Sequence, residues 1–340
     1  MENSVTIRSV TPSFAIAGGE IEVATEGFSA IHGEFGCYIG ALPARVVAAS
    51  SRRVLAIVPE GVAGEAGVEL ENRQGRSNTV TINVGRTIAE EMHIVANPAI
   101  DPRDGSVIIT RSGSRGQKLE HTLYRIEPDG YVDELPAEIM NPTGIAFSPN
   151  GEMYVTNRAE GTVCRIDHGE GVAVYASGLG IATGIAFDAE GVMYVGDRSG
   201  TIYRIREFGR VSEFAEVEPS VAAYHLAFGP DGRLFVTAPG LSSHDCIYAI
   251  DADGKVERFI RGFGRPQGLA FDIDGNLYAA ACYKGRHGIV KIDPAGIAAE
   301  TVVAGNAMVG LCFDRDGNMI VATNDTLFSL EMGINGALKV

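Results

Sequence analysis

The chain of 340 residues lacks the features that would place it among membrane or secreted proteins. No run of 18 apolar residues occurs, which excludes a membrane-spanning helix. The first residues, MENSVTIRSV, contain neither a basic segment nor an apolar one, so they do not form a secretory signal. We therefore predict a cytoplasmic protein with no membrane span. The alternative is an exported protein whose signal has been removed.

Basic residues and cysteines are also scarce. The 28 Lys and Arg residues are outnumbered by 43 Asp and Glu, which gives a net charge of −15 at pH 7. Because a protein needs a basic surface to neutralise phosphates, we predict that nucleic acid is not a partner. The five cysteines include no CxxC pair, and runs such as GTVCRI and GLCF place them in strands. This pattern predicts reduced, buried thiols in a reducing compartment.

What the chain does contain is one phrase that recurs. TGIAFSPNGEMYV returns almost unchanged as TGIAFDAEGVMYV, and looser copies follow. The copies lie about forty residues apart, a period typical of β-propellers and repeat arrays. Each copy has an apolar strand, a polar turn and a second strand, followed by a third strand such as TIYRI and an outer strand. The pattern predicts four antiparallel strands per blade and six blades. The copies occupy 98–109, 143–155, 183–195, 226–236, 268–279 and 310–321.

The first 85 residues have a different pattern. The alternating runs EIEVAT (20–25), RVLAIV (53–58), GVELEN (67–72) and TVTINV (79–84) predict short strands. Turn residues separate these runs, and some seven strands in about 85 residues favour a small β-sandwich. The fold predicted for the whole chain is therefore all-β, with a small Ig-like β-sandwich over 1–85 and a six-bladed β-propeller over 86–340.

Closure of the propeller ring leaves two alternatives. The outer strand of the last blade is either the C-terminal GALKV (336–340) or TIAEEMHIV (87–95), which would complete the blade from the N-terminal side. In both cases we expect deletion of the last five residues to weaken the ring.

Both parts resemble known families. SVTPSFAIAGGEIEV and GRSNTVTINV are similar to IPT/TIG immunoglobulin-like domains, which implies a spacer or an interaction module. The recurrent P-x-G-[IL]-A-F, the D-x-x-G turn and the Y-x-I third strand resemble NHL repeats and the senescence-marker-protein (SMP-30)/gluconolactonase propellers. This resemblance implies the fold rather than one activity, because such propellers include lactonases, lyases, sensors and adaptors.

The resemblance also implies a place for a site, the mouth of the central channel, where each innermost strand begins. In gluconolactonase-type relatives one position at this mouth supplies carboxylate and Asn oxygens to a divalent metal. Here that position holds no Asp, Glu or Asn, whereas a hard cation needs several such oxygens. We therefore predict no metal and no cofactor. A shift of one residue in the first copy would add Asn97 and still leave two ligands missing. The residues at this position, called the mouth column below, are Ala96, Thr143, Thr183, Tyr224, Gln267 and Val309.

Two residues break the rule of the repeat. His225 stands where most copies have glycine, and Tyr224 precedes it. A histidine transfers protons near neutral pH, so the two are candidates for acid and base. The alternative is that His225 fills a gap in the channel.

The loops after the second strands add polar and basic candidates, whereas the turns at the opposite face are rich in acids. A basic mouth on an acidic body favours an anionic ligand. The alternatives are that the acids reflect turn chemistry and that these loop residues brace neighbouring blades. Cys282 with His287 as its base is a weaker catalytic candidate. The loop residues are Arg111, Asn157, Arg158, Asp197, Arg198, Tyr283, Lys284 and His287.

Three functions follow. The first is a binding protein whose propeller mouth takes a small anionic ligand or a protein segment, without the family's metal site. The second is a lactonase-like hydrolase or lyase that uses His225 and Tyr224 as acid and base. The third is a structural partner in a larger assembly.

Overall fold

The computed structural model describes residues 5–29, 35–73, 75–113, 117–167 and 171–337. Strands make up nearly all of its regular structure, because apolar and β-branched residues alternate along the chain and polar turns separate them. In the turn at 148–151, the N–H of Gly151 donates to Ser148 O over 2.8 Å, and Gly151 has a φ of 79°. Only glycine adopts this φ without strain, which explains the recurrent glycine of the turn.

The N-terminal strands share one apolar core, which Ala304 also joins. β3 pairs with β1 and β6, and β7 pairs with β4 and β9, all antiparallel. Ile21, Val54 and Leu70, from three of these strands, are fully buried in one apolar cluster. The strands are β1 (Thr6–Thr11), β2 (Phe14–Ala15), β3 (Glu20–Glu26), β4 (Phe35–Ile39), β5 (Leu42–Ala49), β6 (Arg53–Ile57), β7 (Gly64–Asn72), β8 (Gly75–Arg76) and β9 (Val80–Val84).

The next strands form two four-stranded antiparallel sheets, and the first of these strands belongs to a sheet formed mainly by the last strands of the chain. They are β10 (Arg86–Ala89), β11 (Ala99–Ile100), β12 (Val107–Thr110), β13 (Leu123–Ile126), β14 (Val132–Glu134), β15 (Pro142–Phe147), β16 (Met153–Asn157), β17 (Thr162–Asp167) and β18 (Gly171–Ala176). One sheet has the order β11-β12-β13-β14 and the next has the order β15-β16-β17-β18.

The remaining strands continue the repeat. They are β19 (Ala182–Phe187), β20 (Met193–Asp197), β21 (Thr201–Arg206), a 3-10 turn (Glu207–Gly209), β22 (Arg210–Glu216), β23 (His225–Phe228), β24 (Leu234–Thr237), β25 (Asp245–Ile250), β26 (Val256–Gly264), β27 (Leu269–Phe271), β28 (Leu277–Tyr283), β29 (Arg286–Ile292), β30 (Ala299–Ala304), β31 (Met308–Phe313), β32 (Asn318–Thr323) and β33 (Leu327–Glu331). β19 to β22 form a third separate sheet, and β31 to β33 form a fourth together with β10.

The other repeat strands belong to one seventeen-stranded sheet that also contains β1 to β9. Two contacts join its parts. β2 lies parallel to both β9 and β30, and Phe263 and Gly264 of β26 pair with β28. The structure therefore has four separate four-stranded sheets and one large sheet. Six separate blades and a separate sandwich remain predictions.

The N-terminal alternative for closure is the one that the structure contains. β10 pairs with β33, with Thr87 opposite Phe328. β10 therefore takes the outer position of this sheet. Residues 336 and 337 of the C-terminal alternative, GALKV, lie instead at the edge of β27. There the N–H of Ala337 donates to Phe271 O over 2.8 Å. Residues 338–340 lie outside the described part of the chain.

The first strands of the repeats surround a central channel. β11, β15, β19, β23, β27 and β31 lie next to one another in this order, and β31 also contacts β11. They leave a cavity of about 230 Å³ between them. The strands approach closely where they begin, since a Cβ atom on Gly268 would lie 2.5 Å from the Cα of Gly310. We call the face where these strands begin the mouth face.

Two further features concern the chain as a whole. All five cysteines are free thiols, and Cys37, Cys164 and Cys246 are buried. In the part of the chain that the structure describes, no helix has the length and apolar character needed to cross a bilayer.

Candidate functional site

The mouth column braces neighbouring strands. The Thr183 hydroxyl donates to Gly196 O and accepts from the Tyr224 N–H, both over 3.1 Å. The Gln267 amide donates to Met308 O over 3.3 Å, and Ala96 and Val309 are buried apolar residues. Thr183 and Gln267 therefore each bind a backbone group of an adjacent strand.

This donor set does not fit the divalent metal of gluconolactonase-type relatives. The column offers only neutral oxygens, whereas a hard cation needs several carboxylate or amide oxygens. Among the described residues, no three His, Cys, Asp or Glu side chains lie close enough together to hold an ion. Asn97, the alternative ligand, is occupied as well: its Oδ1 accepts from the Leu311 N–H over 3.1 Å, and its Nδ2 donates to Leu269 O over 2.9 Å.

Tyr224 is held in the wall of the channel. Its hydroxyl donates to Glu218 O, and burial raises the pKa of the phenol. Its ring lies beside Gly196, where a Cβ would be 3.1 Å from the tyrosine Cβ. Three other copies have threonine at the Gly196 position and two have alanine, so the glycine makes room for the ring. The hydroxyl that we considered as an acid is thus engaged with the backbone.

His225 has a different environment. It lines the channel cavity, is 3% exposed, and its Nε2 has no hydrogen-bond partner among the described residues. Burial lowers the pKa of the imidazole to about 4, so the ring is neutral at pH 7. A neutral ring nitrogen without a partner can accept a hydrogen bond or a proton from a group that enters the channel.

Asn157 and Asp197 have structural roles. The Asn157 Oδ1 accepts from the N–H groups of Ala159 and Glu160 over 3.1 and 3.3 Å. Asp197, which is buried, accepts from the Ile181 N–H over 2.8 Å. These bonds lie within one repeat, so the two side chains fix their own loops rather than brace neighbouring repeats.

Arg198 reaches the next repeat, whereas Arg158 does not. The Arg198 Nη2 donates to the carbonyl O of Val221 over 2.6 Å, and its buried Nε has no partner. The Arg158 side chain has no hydrogen bond or ion pair with any residue that the structure describes. Burial lowers the pKa of the Arg158 guanidinium, and the nearby positive charge of Arg198 lowers it further. The two arginines therefore occupy equivalent positions in consecutive repeats, and neither forms an ion pair with a carboxylate among the described residues. We call them the arginine pair.

The remaining candidates do not join this pair in one site. The Arg111 Nη1 donates to the Tyr124 hydroxyl over 3.0 Å. Lys284 lies 4.8 Å above the ring of Tyr283, in the hairpin between β28 and β29.

That hairpin also carries the Cys282 and His287 candidates. The two residues are opposite each other on β28 and β29, and His287 is exposed. Together with Gln267 they line a separate cavity of about 310 Å³. Thr143 is buried, and its hydroxyl has no partner in the described structure.

Sequence reasoning named Arg158 and Arg198 individually and missed their pairing. The signal was present, because both arginines follow the second strand at the same place in consecutive copies, in TNR and GDR. Equivalent positions in neighbouring repeats lie side by side once the repeats are arranged in a ring. Reading the loop residues by repeat position would have found the pair.

Comparisons with known proteins place the chain in a family. A family model described as SMP-30/Gluconolactonase/LRE-like region matches residues 25–238. The match begins within β3 and ends directly after β24. No curated protein sequence matches the chain.

Solved structures share the fold at low sequence identity. A putative gluconolactonase is 18% identical, with a TM-score of 0.61 and coverage of 74% of this chain and 93% of that one. An auxiliary nutrient binding protein from Bacteroides ovatus is 14% identical, with a TM-score of 0.55 and coverage of 97% and 98%. A catalytically inactive histidine-to-alanine variant of virginiamycin B lyase from Staphylococcus aureus, with quinupristin, is 18% identical, with a TM-score of 0.53 and coverage of 89% and 97%. At these identities the likeness shows the fold alone.

Proposed function

The chain belongs to the SMP-30/Gluconolactonase/LRE-like family, and from this premise we propose that it is a binding β-propeller that takes a small anionic ligand at its mouth, without the family's metal site. The observation that carries the proposal is the arginine pair. Arg158 is half-buried and has no partner in the described structure, and Arg198 adds a second positive charge beside it.

The physical argument is electrostatic. A guanidinium stays protonated in proteins, so the two like charges repel each other and Arg158 has lost part of its hydration. An anion between them would relieve both penalties. Carboxylates and phosphates match the planar donor geometry of arginine, and such charge-assisted hydrogen bonds are stronger than neutral ones.

The proposal includes the architecture predicted from the repeats. We take β23 to β26 and β27 to β30 as two blades of a six-bladed ring, since each run pairs in order and antiparallel within the large sheet. We take residues 1–85 as an Ig-like spacer or second contact. The apolar core that their strands share supports this, although Ala304 of β30 also joins it. Arg286 of β29 pairs with Glu22 of β3 and holds the two parts together.

Titration calorimetry with inorganic phosphate at low ionic strength tests the anion site. We expect binding that weakens at least about tenfold in Arg158→Gln and in Arg198→Gln, because each loses a charge-assisted bond. Arg206→Gln is the matched control, since Arg206 is exposed at the far end of β21 on the opposite face. Equal affinity in all four proteins, or no binding by the wild type, would reject the proposal.

A second function is favoured by one observation, the unpartnered Nε2 of His225 in the channel cavity. A neutral imidazole at that place is suited to a general base, as in a lactonase-like hydrolase or lyase with Tyr224 as its acid. The bond from the Tyr224 hydroxyl to Glu218 O weighs against the acid role. Turnover of a sugar lactone by metal-depleted protein, abolished in His225→Ala and retained in Arg206→Gln, would place this function first.

A further inference from the structure

Apolar side chains are exposed around the arginine pair. Met140, Ile181 and Val221 expose 44%, 45% and 48% of their surface. They precede β15, β19 and β23, the inner strands of three consecutive repeats, so they lie along one arc of the mouth face. A single exposed apolar residue is ordinary, but three in a row beside two unneutralised charges need an explanation. We call these three residues the apolar rim.

Hydrogen bonds fix the rim next to the arginines. The Arg198 N–H donates to Ile181 O over 3.3 Å, and the Arg198 guanidinium donates to the Val221 carbonyl. The Arg158 N–H donates over 3.4 Å to the carbonyl of Asn141, the residue after Met140. Ile181 and Val221 therefore each accept a hydrogen bond from Arg198, and Met140 adjoins the residue that accepts one from Arg158.

The acidic residues of the same loops do not neutralise the pair. The Glu160 carboxylate accepts from the Asn157 amide over 3.0 Å. The Glu218 carboxylate pairs with Arg258 over 2.7 Å. The Asp197 carboxylate accepts backbone and hydroxyl hydrogen bonds within its own turn. None of these three carboxylates forms an ion pair with Arg158 or Arg198 in the described structure, so the guanidinium groups have no anionic partner within the chain.

We propose that the ligand is an amphipathic carboxylate, with its carboxylate between Arg158 and Arg198 and a short aliphatic tail of about four to six carbons on the apolar rim. This inference rests on the proposed anion-binding function and adds the class of the ligand. An inorganic anion or a sugar acid would use the arginines and leave the rim in water. Three side chains are far too small an area for a stable protein interface, which buries on the order of 1,000 Å² or more. The occupant is therefore a small molecule.

Calorimetry with acetate, butyrate, hexanoate and hexanol tests this inference. From acetate to hexanoate we expect affinity to rise roughly threefold per methylene, the effect of removing each group from water. Hexanol, which lacks the charge, should bind at least about tenfold more weakly than hexanoate. Arg158→Gln should bring hexanoate to the level of hexanol.

Variants of the rim separate the tail contact from the charge contact. Ile181→Ser and Val221→Ser should each weaken hexanoate binding roughly threefold to fivefold and leave acetate unchanged. Ile297→Ser is the matched control, because Ile297 is 84% exposed in the turn between β29 and β30, on the opposite face. This variant should bind hexanoate like the wild type.

The outcomes distinguish this inference from the function on which it rests. Carboxylate binding that needs Arg158 but is independent of chain length would overturn the amphipathic ligand and leave the anion site. Hexanol binding equal to hexanoate would overturn it as well. Absence of binding for phosphate and for every carboxylate would overturn both.

Discussion

Acidification should destabilise the fold through His225. Its ordinary pKa is 6.5, and burial lowers the pKa to about 4 in the folded chain. As the pH falls from about 6.5 to about 4, the unfolded chain therefore binds a proton that the folded chain excludes, so stability falls over this window. The difference of about 2.5 pH units, at about 1.4 kcal/mol each, gives a loss of about 3 kcal/mol in the free energy of unfolding. About 2 kcal/mol of this loss falls between pH 7 and pH 5.

The surroundings of the imidazole support this magnitude. Among the described residues that line the channel cavity, none carries a charge, so no carboxylate is present to stabilise the protonated ring. Asn97, the polar neighbour in the cavity wall, uses both ends of its amide on backbone groups. Protonation would therefore leave a buried, unpaired charge.

Urea unfolding followed by circular dichroism at pH 7 and pH 5 measures the effect. Between these two values the wild type should lose about 2 kcal/mol more stability than His225→Gln, whatever the starting stability of the variant. His244→Gln is the control, because His244 is exposed and should keep the wild-type slope. The same loss in wild type and His225→Gln would show that the imidazole is not desolvated, and the reasoning would be refuted.

Two further predictions concern the ring. Thr156→Val should lower the free energy of unfolding by about 1–3 kcal/mol, because the buried hydroxyl donates to Thr183 O over 2.6 Å and accepts from the Gly144 N–H over 2.8 Å. Urea unfolding measures this loss. A loss no larger than that of Thr81→Val, at an exposed threonine of β9, would contradict the prediction. Thr87→Pro should lower the free energy of unfolding by about 2 kcal/mol, because it disrupts the closing strand β10. Deletion of 336–340 should lower it by about 1 kcal/mol, since Ala337 contributes one backbone hydrogen bond. Thermal unfolding compares the two variants, and a larger loss in the deletion than in Thr87→Pro would contradict closure by β10.

The regular parts of the fold were predictable from the sequence. The runs predicted as strands at 20–25, 53–58, 67–72 and 79–84 are strands whose ends agree within three residues. The recurrent GIAF phrase forms β15 and β19 as expected. These elements are encoded locally, because alternation and turn glycines appear within a few neighbouring residues.

The long-range pairings were not predictable. β2 has two residues, Phe14–Ala15, yet it joins the N-terminal strands to β30, and nothing in two residues specifies partners so far away in the chain. Both candidates for the closing strand had strand-like sequences, and only their place in the ring separates them. The family match from residue 25 also includes N-terminal strands that the repeat pattern did not cover.

The site was partly predictable, because some of its residues stand out against the repeat pattern. His225 was recognised because it departs from the glycine of the repeat, and the mouth column was recognised because it lacks acids. The arginine pair required two loops from neighbouring repeats to be brought together. The hydrogen bond from the Tyr224 hydroxyl to Glu218 O could not be predicted, because it depends on the conformation of a loop that has no repeat pattern.

The central claim is an anion site at Arg158 and Arg198 that works without the family's metal. Its most direct test is calorimetric titration of hexanoate into protein dialysed against a chelator, before and after calcium is restored. We predict the same affinity in both states, with binding at least about tenfold weaker in Arg158→Gln. Binding that appears only when calcium is present, and that persists in Arg158→Gln, would contradict the claim and return the metal to the mouth of the channel.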